Sequence, residues 1–433
     1  MSNRLDLNKL VARKVLGRGA LGTVFLVTTT ADGINSPPSS SSSSPFAIKI
    51  VDKATLQGKF DAARRARWEV DVLSNLHHPF LPSLLATLDA DADDDDGFSG
   101  WAIPFCPGGD LNVLRQRQSD RVFSPSVIRF YLAELVLALE YLHAHRVVYR
   151  DLKPENVLIQ ESGHIMLTDF DLSKMLPLPP ADLVQAVPSD KNLHVPAKMI
   201  NGDGNNNDNG VPKRQKKKKT RGHCRSLTRL VTAASAKVTP TAHAAAKRRS
   251  TVVPRVAAPP CCGVERTNSF VGTEEYVAPE VVRGHGHAFP VDWWALGVLA
   301  YEMLYGRTPF RGANRKETFL NVLTRAPSFV GPATGTAARL RDLIFRLLEK
   351  DPARRLGSGG AVEVKRHEFF RGLDWEGIAD ISRPPFIVEQ QPELEEQVDI
   401  REFFRKRNAP AAATPSLSPS PSTRQPEPGV PEF

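Results

Sequence analysis

The feature that most narrows the folds open to this chain is a pair of polar runs. Tyr149-Arg150-Asp151-Leu152-Lys153-Pro154-Glu155-Asn156 follows a helical stretch, and Thr168-Asp169-Phe170-Asp171 follows the β-like Ile165-Met166-Leu167. In the first run a carboxylate, an ammonium and an amide stand within six residues of one another. Asp151 can accept the proton of an attacking hydroxyl, Lys153 can neutralise charge on a transferring phosphoryl group, and Asn156 offers a hard oxygen to Mg2+. Asp169 supplies a second hard oxygen. Acidic loop residues are commonly solvated turns and nothing more, but two such runs in this order and at this spacing are not expected by chance.

The front of the chain carries matching chemistry. Leu10-Val11-Ala12-Arg13-Lys14-Val15-Leu16 reads as a strand, and so does Thr23-Val24-Phe25-Leu26-Val27. Between them Gly17-Arg18-Gly19-Ala20-Leu21-Gly22 fits a GxGxxG turn whose backbone N–H groups can close over phosphates without Cβ obstruction. By itself such a run is also what a glycine-rich β-hairpin looks like. Phe46-Ala47-Ile48-Lys49 then places a lysine in an apolar strand, where an unpaired ammonium is costly. Glu69, 20 residues on in the next helical segment, is the natural counter-charge. A strand-edge lysine that snorkels to water is the structural alternative.

Helical patterns run through Asp61 to Leu76, Ser124 to His145, Val291 to Leu304, Lys316 to Leu323 and Thr336 to Leu348, giving a β-rich front and an α-rich remainder. Two tracts read as solvated tips, the Ser/Pro run Ser36 to Pro45 and the acidic run Asp89 to Asp96. The net charge of +9 is concentrated in one place. Met175 to Asn268 holds 17 Lys/Arg against 5 Asp/Glu, no Phe, Tyr or Trp, and the basic run Lys213 to Arg221. Without aromatics it cannot bury enough to offset its ordering entropy, so it is expected to be a long disordered insert, as is the Pro/Ser/Ala-rich tail after Asn408. Four cysteines without zinc spacing point to a reducing compartment. No apolar run reaches the roughly 18 residues of a membrane span, and the first residues carry neither a secretory nor a myristoylation signal.

These motifs together resemble a eukaryotic protein kinase over residues 10–176 and 266–386. The chain is similar to the AGC class and, within it, to the plant group VIII members and their UNICORN-like branch. Asp169-Phe170-Asp171, the segment Phe105-Cys106-Pro107-Gly108-Gly109-Asp110-Leu111, and the long insert before Ser269-Phe270-Val271-Gly272-Thr273-Glu274-Glu275-Tyr276-Val277-Ala278-Pro279-Glu280 carry the narrower likeness. The resemblance implies an α+β, two-lobed fold with a small β-rich N-lobe, a large α-rich C-lobe and a disordered insert in the activation segment. The expected pieces are an N-terminal segment 1–9, the N-lobe 10–103, the C-lobe in two parts 104–176 and 266–370, the insert 177–265, a C-terminal extension 371–407 and a tail 408–433. It further implies a serine/threonine kinase that uses ATP and Mg2+. Gly17, Gly19, Gly22 and Lys49, with Glu69, would hold phosphates; Leu16, Val24 and Ala47 would sandwich adenine; Pro104 and Cys106 would bond it through the main chain; Ile103 would be the gatekeeper; and Asp110 would approach the ribose. Asp151 and Lys153 would be catalytic, and Asn156 and Asp169 would bind Mg2+. Glu280 would pair with Arg355, Asp292 would brace the catalytic loop, and a phosphate on Ser269 would order the activation segment through Arg150.

Two departures stand out. Asp171 replaces the family's glycine, so a flipped inactive state of this motif is expected to be harder to reach. The C-terminal hydrophobic motif is poorly matched, with Ile400-Arg401-Glu402-Phe403-Phe404 the nearest run, which speaks against docking of that tail on the small lobe and against a phosphoinositide-dependent upstream kinase. A non-catalytic scaffold would be expected to lack Lys49, Asp151, Asn156 or Asp169, and all four are present. For Lys213 to Arg221 the readings are nuclear import through a receptor, attraction to anionic lipid, nucleic-acid contact, or a solvated run. Nucleic acid is disfavoured, since no aromatics are interleaved for base stacking. Cytoplasm and nucleus are the expected compartments, with the plasma-membrane surface the alternative. Protein substrates with Ser/Thr acceptors are the expected partners.

Overall fold

Strand alternation divides the front of the chain between two faces of one sheet. The computed structural model describes residues 3–19, 21–29, 44–53, 61–89, 97–177, 273–286, 288–331, 334–381, 384–386 and 397–408. All belong to one structural unit made of Met1–Pro180 and Pro260–Phe433. Strands β1 (Asn3–Arg4), β2 (Leu10–Arg18), β3 (Thr23–Thr29), β4 (Phe46–Asp52), β5 (Ala86–Asp89) and β6 (Phe98–Pro104) form a sheet in the order β1-β5-β6-β4-β3-β2. Along β4, Phe46, Ile48 and Ile50 join Phe25, Val27 and Ala102 in a core on one face, while Ala47 and Val51 join Trp101 and Ile103 on the other. A period of two puts Lys49 on the second face. Helix α1 (Ala62–Leu73) covers that face with Ala62, Ala66, Glu69, Val72 and Leu73, spaced as one helical stripe.

The rest of the main core is helical. Ser124 caps α3 (Pro125–Ala144), which follows the short α2 (Leu111–Gln116). After the insert come α4 (Pro279–Arg283), α5 (Pro290–Tyr305), α6 (Arg315–Thr324), α7 (Gly335–Leu347) and α8 (Ala361–Lys365). Helix α5 is buried nearly all round, as befits a central core helix. It lies close to α7 because Gly297 has no side chain: a Cβ there would stand 2.8 Å from Leu347 Cβ. Strands β7 (Val147–Val148), β8 (Val157–Ile159), β9 (Ile165–Leu167) and β10 (Lys174–Met175) pair as β7 with β10 and β8 with β9. They hold the two polar runs at their ends. This is a two-lobed α+β architecture with a β-sheet N-lobe and a helical C-lobe.

The C-terminal tail corrects one expectation. Helix α9 (Ile400–Asn408) packs on the outer face of the sheet, with Ile400 and Phe404 buried in the core that holds Phe25 and Ile48. Phe403 stands edge-on to Phe25 at 5.3 Å, and Val398 N–H donates to Ala12 O at 2.9 Å. Ile400, Phe403 and Phe404 fall at i, i+3 and i+4, one face of a helix, so period rather than motif identity makes the tail dock.

Most of the Ser/Pro tract and of the acidic run, the basic insert from 178 on, Ser269 and the tail after Asn408 lie outside the described residues, as do the expectations placed on them. Among the described residues no helix is long and apolar enough to cross a membrane.

Candidate active site

From β4, Lys49 Nζ donates to Glu69 Oε2 on α1 at 2.7 Å and to Asp169 Oδ1 at 2.9 Å. Burial alone would lower this lysine's pKa, but the two carboxylates more than offset it and hold the ammonium above its ordinary range. Glu69 goes up to about 7, pushed by burial, with Lys49 opposing and the Asp169 charge adding. Asp169 goes the other way. Burial would raise it, yet Lys49, with Lys153 and Arg65, holds its carboxyl below the usual range. Asp169 is thus the carboxylate kept ionised, and its side chain is 38% exposed where the Glu69 side chain is 4% exposed.

The first polar run folds around Asp151. Lys153 Nζ lies 2.8 Å from Asp151 Oδ2, and Asn156 Nδ2 donates to Asp151 O at 2.9 Å and to Oδ2 at 3.0 Å. Thr168 N–H donates to Asn156 O at 2.9 Å, which brings the Asp169 turn beside the Asn156 loop. Arg150 and Asp169 both have left-handed backbones, φ 71° and 60°. For L-residues this costs about 1–2 kcal/mol each. Asp292 at the start of α5 offsets part of it. Fully buried, it accepts from Arg150 N–H (2.8 Å) and Tyr149 N–H (2.9 Å) and meets His143 Nε2 at 2.8 Å. Arg150 Nε also donates to Leu172 O at 2.6 Å.

On the sheet side, the glycine-rich turn is closed by Gly19 N–H donating to Gly22 O at 2.8 Å, with Gly17 opposite Val24. Gly22 must be glycine, because a Cβ there would lie 2.4 Å from Ile50 O. Val24 is in register with Lys49, and Ala47 with Ile103. Leu16 is exposed and Ala47 buried. Pro104 ends β6 opposite Phe46. Cys106 follows, and burial pushes its thiol up to about 12, so it offers main-chain groups and no reactive thiolate. Asp110 caps α2, its Oδ1 accepting from Val113 N–H at 2.8 Å. Gly17, Gly19 and Gly22 thus share one turn, Lys49, Glu69 and Asp169 form one ion cluster, and Asp151, Lys153 and Asn156 form another. Ser269 lies outside the described residues.

The donor set fits Mg2+. With its nitrogen committed to Asp151, Asn156 has its amide oxygen to offer, and Asp169 an ionised carboxylate. Hard oxygen donors suit this ion, which is commonly held by one or two protein groups together with substrate phosphates and water. Among the described residues no group of three His, Cys, Asp or Glu side chains makes an all-protein cage.

Several contacts were not legible beforehand. Thr273 Oγ1 donates to Asp151 Oδ1 at 3.3 Å. Arg65 on α1 pairs with Asp171, and Trp68 Nε1 donates to Ser173 Oγ at 3.0 Å. The only signal was their spacing, since Arg65, Trp68 and Glu69 stand at i, i+3 and i+4 on one helix. Beyond Asp151, Glu155 accepts from Asn112 Nδ2 at 3.2 Å, while Glu302 holds the Tyr276 hydroxyl at 2.6 Å and Arg115 Nη2 at 3.3 Å. Burial raises Glu155, and the charges of Glu302 and Asp110 add to it.

Comparison with known proteins agrees with this geometry. The protein kinase domain model matches residues 10–189 and 257–370. Serine/threonine-protein kinase UCN of Arabidopsis thaliana is 46% identical over 430 residues, covering 96% of this chain and 94% of that protein. Serine/threonine-protein kinase UCNL of the same plant is 47% identical over 432 residues, covering 96% and 93%. Protein kinase PINOID of Oryza sativa subsp. japonica is 41% identical over 387 residues, covering 88% and 69%. With the two lobes and the Lys49–Glu69–Asp169 cluster beside them, these matches mean that the chain belongs to the protein kinase family, as a serine/threonine kinase of the plant AGC class.

Proposed function

We propose that this kinase transfers the γ-phosphoryl group of ATP to Ser/Thr hydroxyls by positioning and charge neutralisation. The observation that carries the proposal is the Asp151 carboxylate, bonded by Lys153, Asn156 and Thr273 and set one backbone bond from the Asp169 turn. Asp151 orients the acceptor hydroxyl and accepts its proton as the new oxygen–phosphorus bond forms, while the bond from the γ-phosphorus to the β,γ-bridging oxygen breaks and ADP leaves. Lys153 faces the transferring group with positive charge. Gly17, Gly19 and Gly22 offer N–H groups to the phosphates, and Lys49, kept charged and fixed by Glu69, reaches them from β4. Leu16, Val24 and Ala47 enclose the base, Pro104 and Cys106 offer it main-chain groups, and Asp110 adds a carboxylate near the ribose. Asn156 and Asp169 would hold Mg2+, which when bound neutralises phosphate charge.

The acidic group of Glu155, Glu302 and Asp110 supports a preference for a basic residue on the acceptor peptide, since negative side chains beside the catalytic loop attract and orient positive ones. A serine peptide with arginine two or three residues before the acceptor is expected to show a KM about tenfold below its alanine counterpart, roughly one charged contact's worth. Glu155→Gln should shrink that ratio. Equal KM values for both peptides would contradict the preference. A phosphate on Ser269, added by an upstream kinase, is proposed to order the activation segment. The basic run Lys213 to Arg221 is proposed to engage an import receptor or anionic lipid and so distribute the protein between cytoplasm, nucleus and plasma-membrane surface. An unchanged distribution in cells after alanine replacement of its Lys/Arg residues rules this out.

A further inference from the structure

Asp171 is a buried carboxylate, 8% exposed, at a position where protein kinases at large have a glycine. A buried carboxylate needs a counter-charge. Here it comes from Arg65 Nη2, projecting from α1. Three residues on, Trp68 Nε1 donates to Ser173 Oγ at 3.0 Å, and Ser173 Oγ donates to Phe170 O at 2.6 Å. One residue further, Glu69 takes Lys49. Arg65, Trp68 and Glu69 occupy one face of α1, and that face meets the stretch Asp169 to Ser173 at separate points. Lys49 bridges Glu69 to Asp169, and Arg65 binds Asp171 directly. Phe170 is fully buried between these anchors, edge-on to Tyr149 at 5.2 Å. Asp171 has an ordinary negative φ, so the side chain here is gained without backbone strain. A glycine would leave only the Lys49 bridge and the Trp68 bond.

We infer that Arg65 and Asp171 are positioning residues that latch α1 to the Asp169 turn, so that Glu69 and Asp169 reach Lys49 together. The latch works before any nucleotide arrives. An outward displacement of α1 would break both ion pairs and leave the buried Asp171 uncompensated, whereas without Asp171 only the Lys49 bridge and the Trp68 bond would tie α1 to the turn. The arginine touches no reacting atom. Its effect runs through Asp171 to the orientation of Asp169.

The inference rests on the kinase reading of this site and on Asp169 as the Mg2+ ligand, and the test separates the two. Full-length wild type, Arg65→Gln, Asp171→Asn and the double variant are compared, with Asp151→Asn as the inactive control. Each single change is expected to raise the Mg2+ concentration for half-maximal phosphate transfer about tenfold, with a smaller effect on the peptide KM. The double variant should be no worse than the singles, because both remove the same pair. In the nucleotide-free protein, amide exchange should accelerate in residues 62–73 and 169–175 of each variant and stay unchanged in the central helix 290–305. If the singles leave both Mg2+ requirement and exchange unaltered, or if their effects add in the double variant, the latch is wrong. If exchange accelerates in 290–305 as well, the pair is a general fold contact and the latch is equally wrong. Loss of transfer in the wild type itself, with none above the Asp151→Asn control, would instead overturn the kinase reading while the exchange data still judged the latch.

Discussion

At Arg150 and Asp169 the backbone takes a shape that ordinary residues avoid, and each is held there by a charged partner: Asp292 for the first, Lys49 for the second. Asp292 reaches no substrate, but its two oxygens fix the N–H groups that aim the Asp151 loop. Asp292→Asn keeps the volume and loses an acceptor, so kcat should fall about 100-fold with the KM for ATP nearly unchanged, the scale expected from misplacing a reacting group. Steady-state kinetics check this. Lys350 gives a pH prediction. Its ammonium lies 3.7 Å from the Phe310 ring centroid and 4.7 Å from that of Trp294, and among the described residues Nζ has no hydrogen-bond partner. Burial, then the charges of Arg355 and Arg283, push it down to about 7 from 10.5. Between those values the unfolded chain holds a proton that the folded chain does not, so stability rises with pH across that window and is lost as pH falls through about 7. Lys350→Met should melt higher than wild type at pH 7, and the gap should narrow toward about pH 10. Residue types and spacing made Lys49, Asp151, Asn156 and Asp169 legible in the sequence, because their chemistry is local to short runs. Arg65 was not legible, since one arginine on a polar helix looks like any other until Asp171 is brought against it.

Among elements, the helices are legible in the sequence. Ser124 to His145 is observed as Pro125–Ala144, and Thr336 to Leu348 as Gly335–Leu347, because caps and apolar period speak together. Helix α9 is the opposite case: its match to the family's C-terminal hydrophobic motif is poor, and what docks it is the i, i+3, i+4 apolar face of Ile400, Phe403 and Phe404. Two of its contacts lie beside the glycine-rich turn, Arg407 Nη1 to Thr23 Oγ1 at 3.2 Å and the Arg18 guanidinium 5.0 Å from the Phe403 ring centroid. Phe404→Ala removes a side chain that is 2% exposed, and should cost about 3–5 kcal/mol of N-lobe stability, as large-to-small core changes do. Thermal melting followed with and without ATP measures it. A loss below about 1 kcal/mol would mean the helix is not seated in solution.

Across the whole molecule, contacts far apart in sequence join the pieces. Arg355 is fully buried and donates to Glu280 at 2.7 and 2.9 Å, tying residues on opposite sides of α5 in sequence, and its third nitrogen takes Glu349 O at 3.0 Å. Such a pair could be anticipated from the motifs that contain it, but not its burial, which depends on Trp294 and α5 closing over it. The fold places charge in two clusters, Lys49 with Glu69 and Asp169, and Asp151 with Lys153 and Asn156, which under the proposed function act together in phosphoryl transfer. The most direct test is transfer of phosphate from Mg-ATP to a serine peptide by full-length wild type and by Asp151→Asn. Wild type should phosphorylate the serine, and the variant should bind ATP with similar affinity yet transfer about 10²–10⁴-fold more slowly, the span expected for losing a general base. Equal rates from the two proteins would contradict the assignment of Asp151 and with it the mechanism built around that carboxylate.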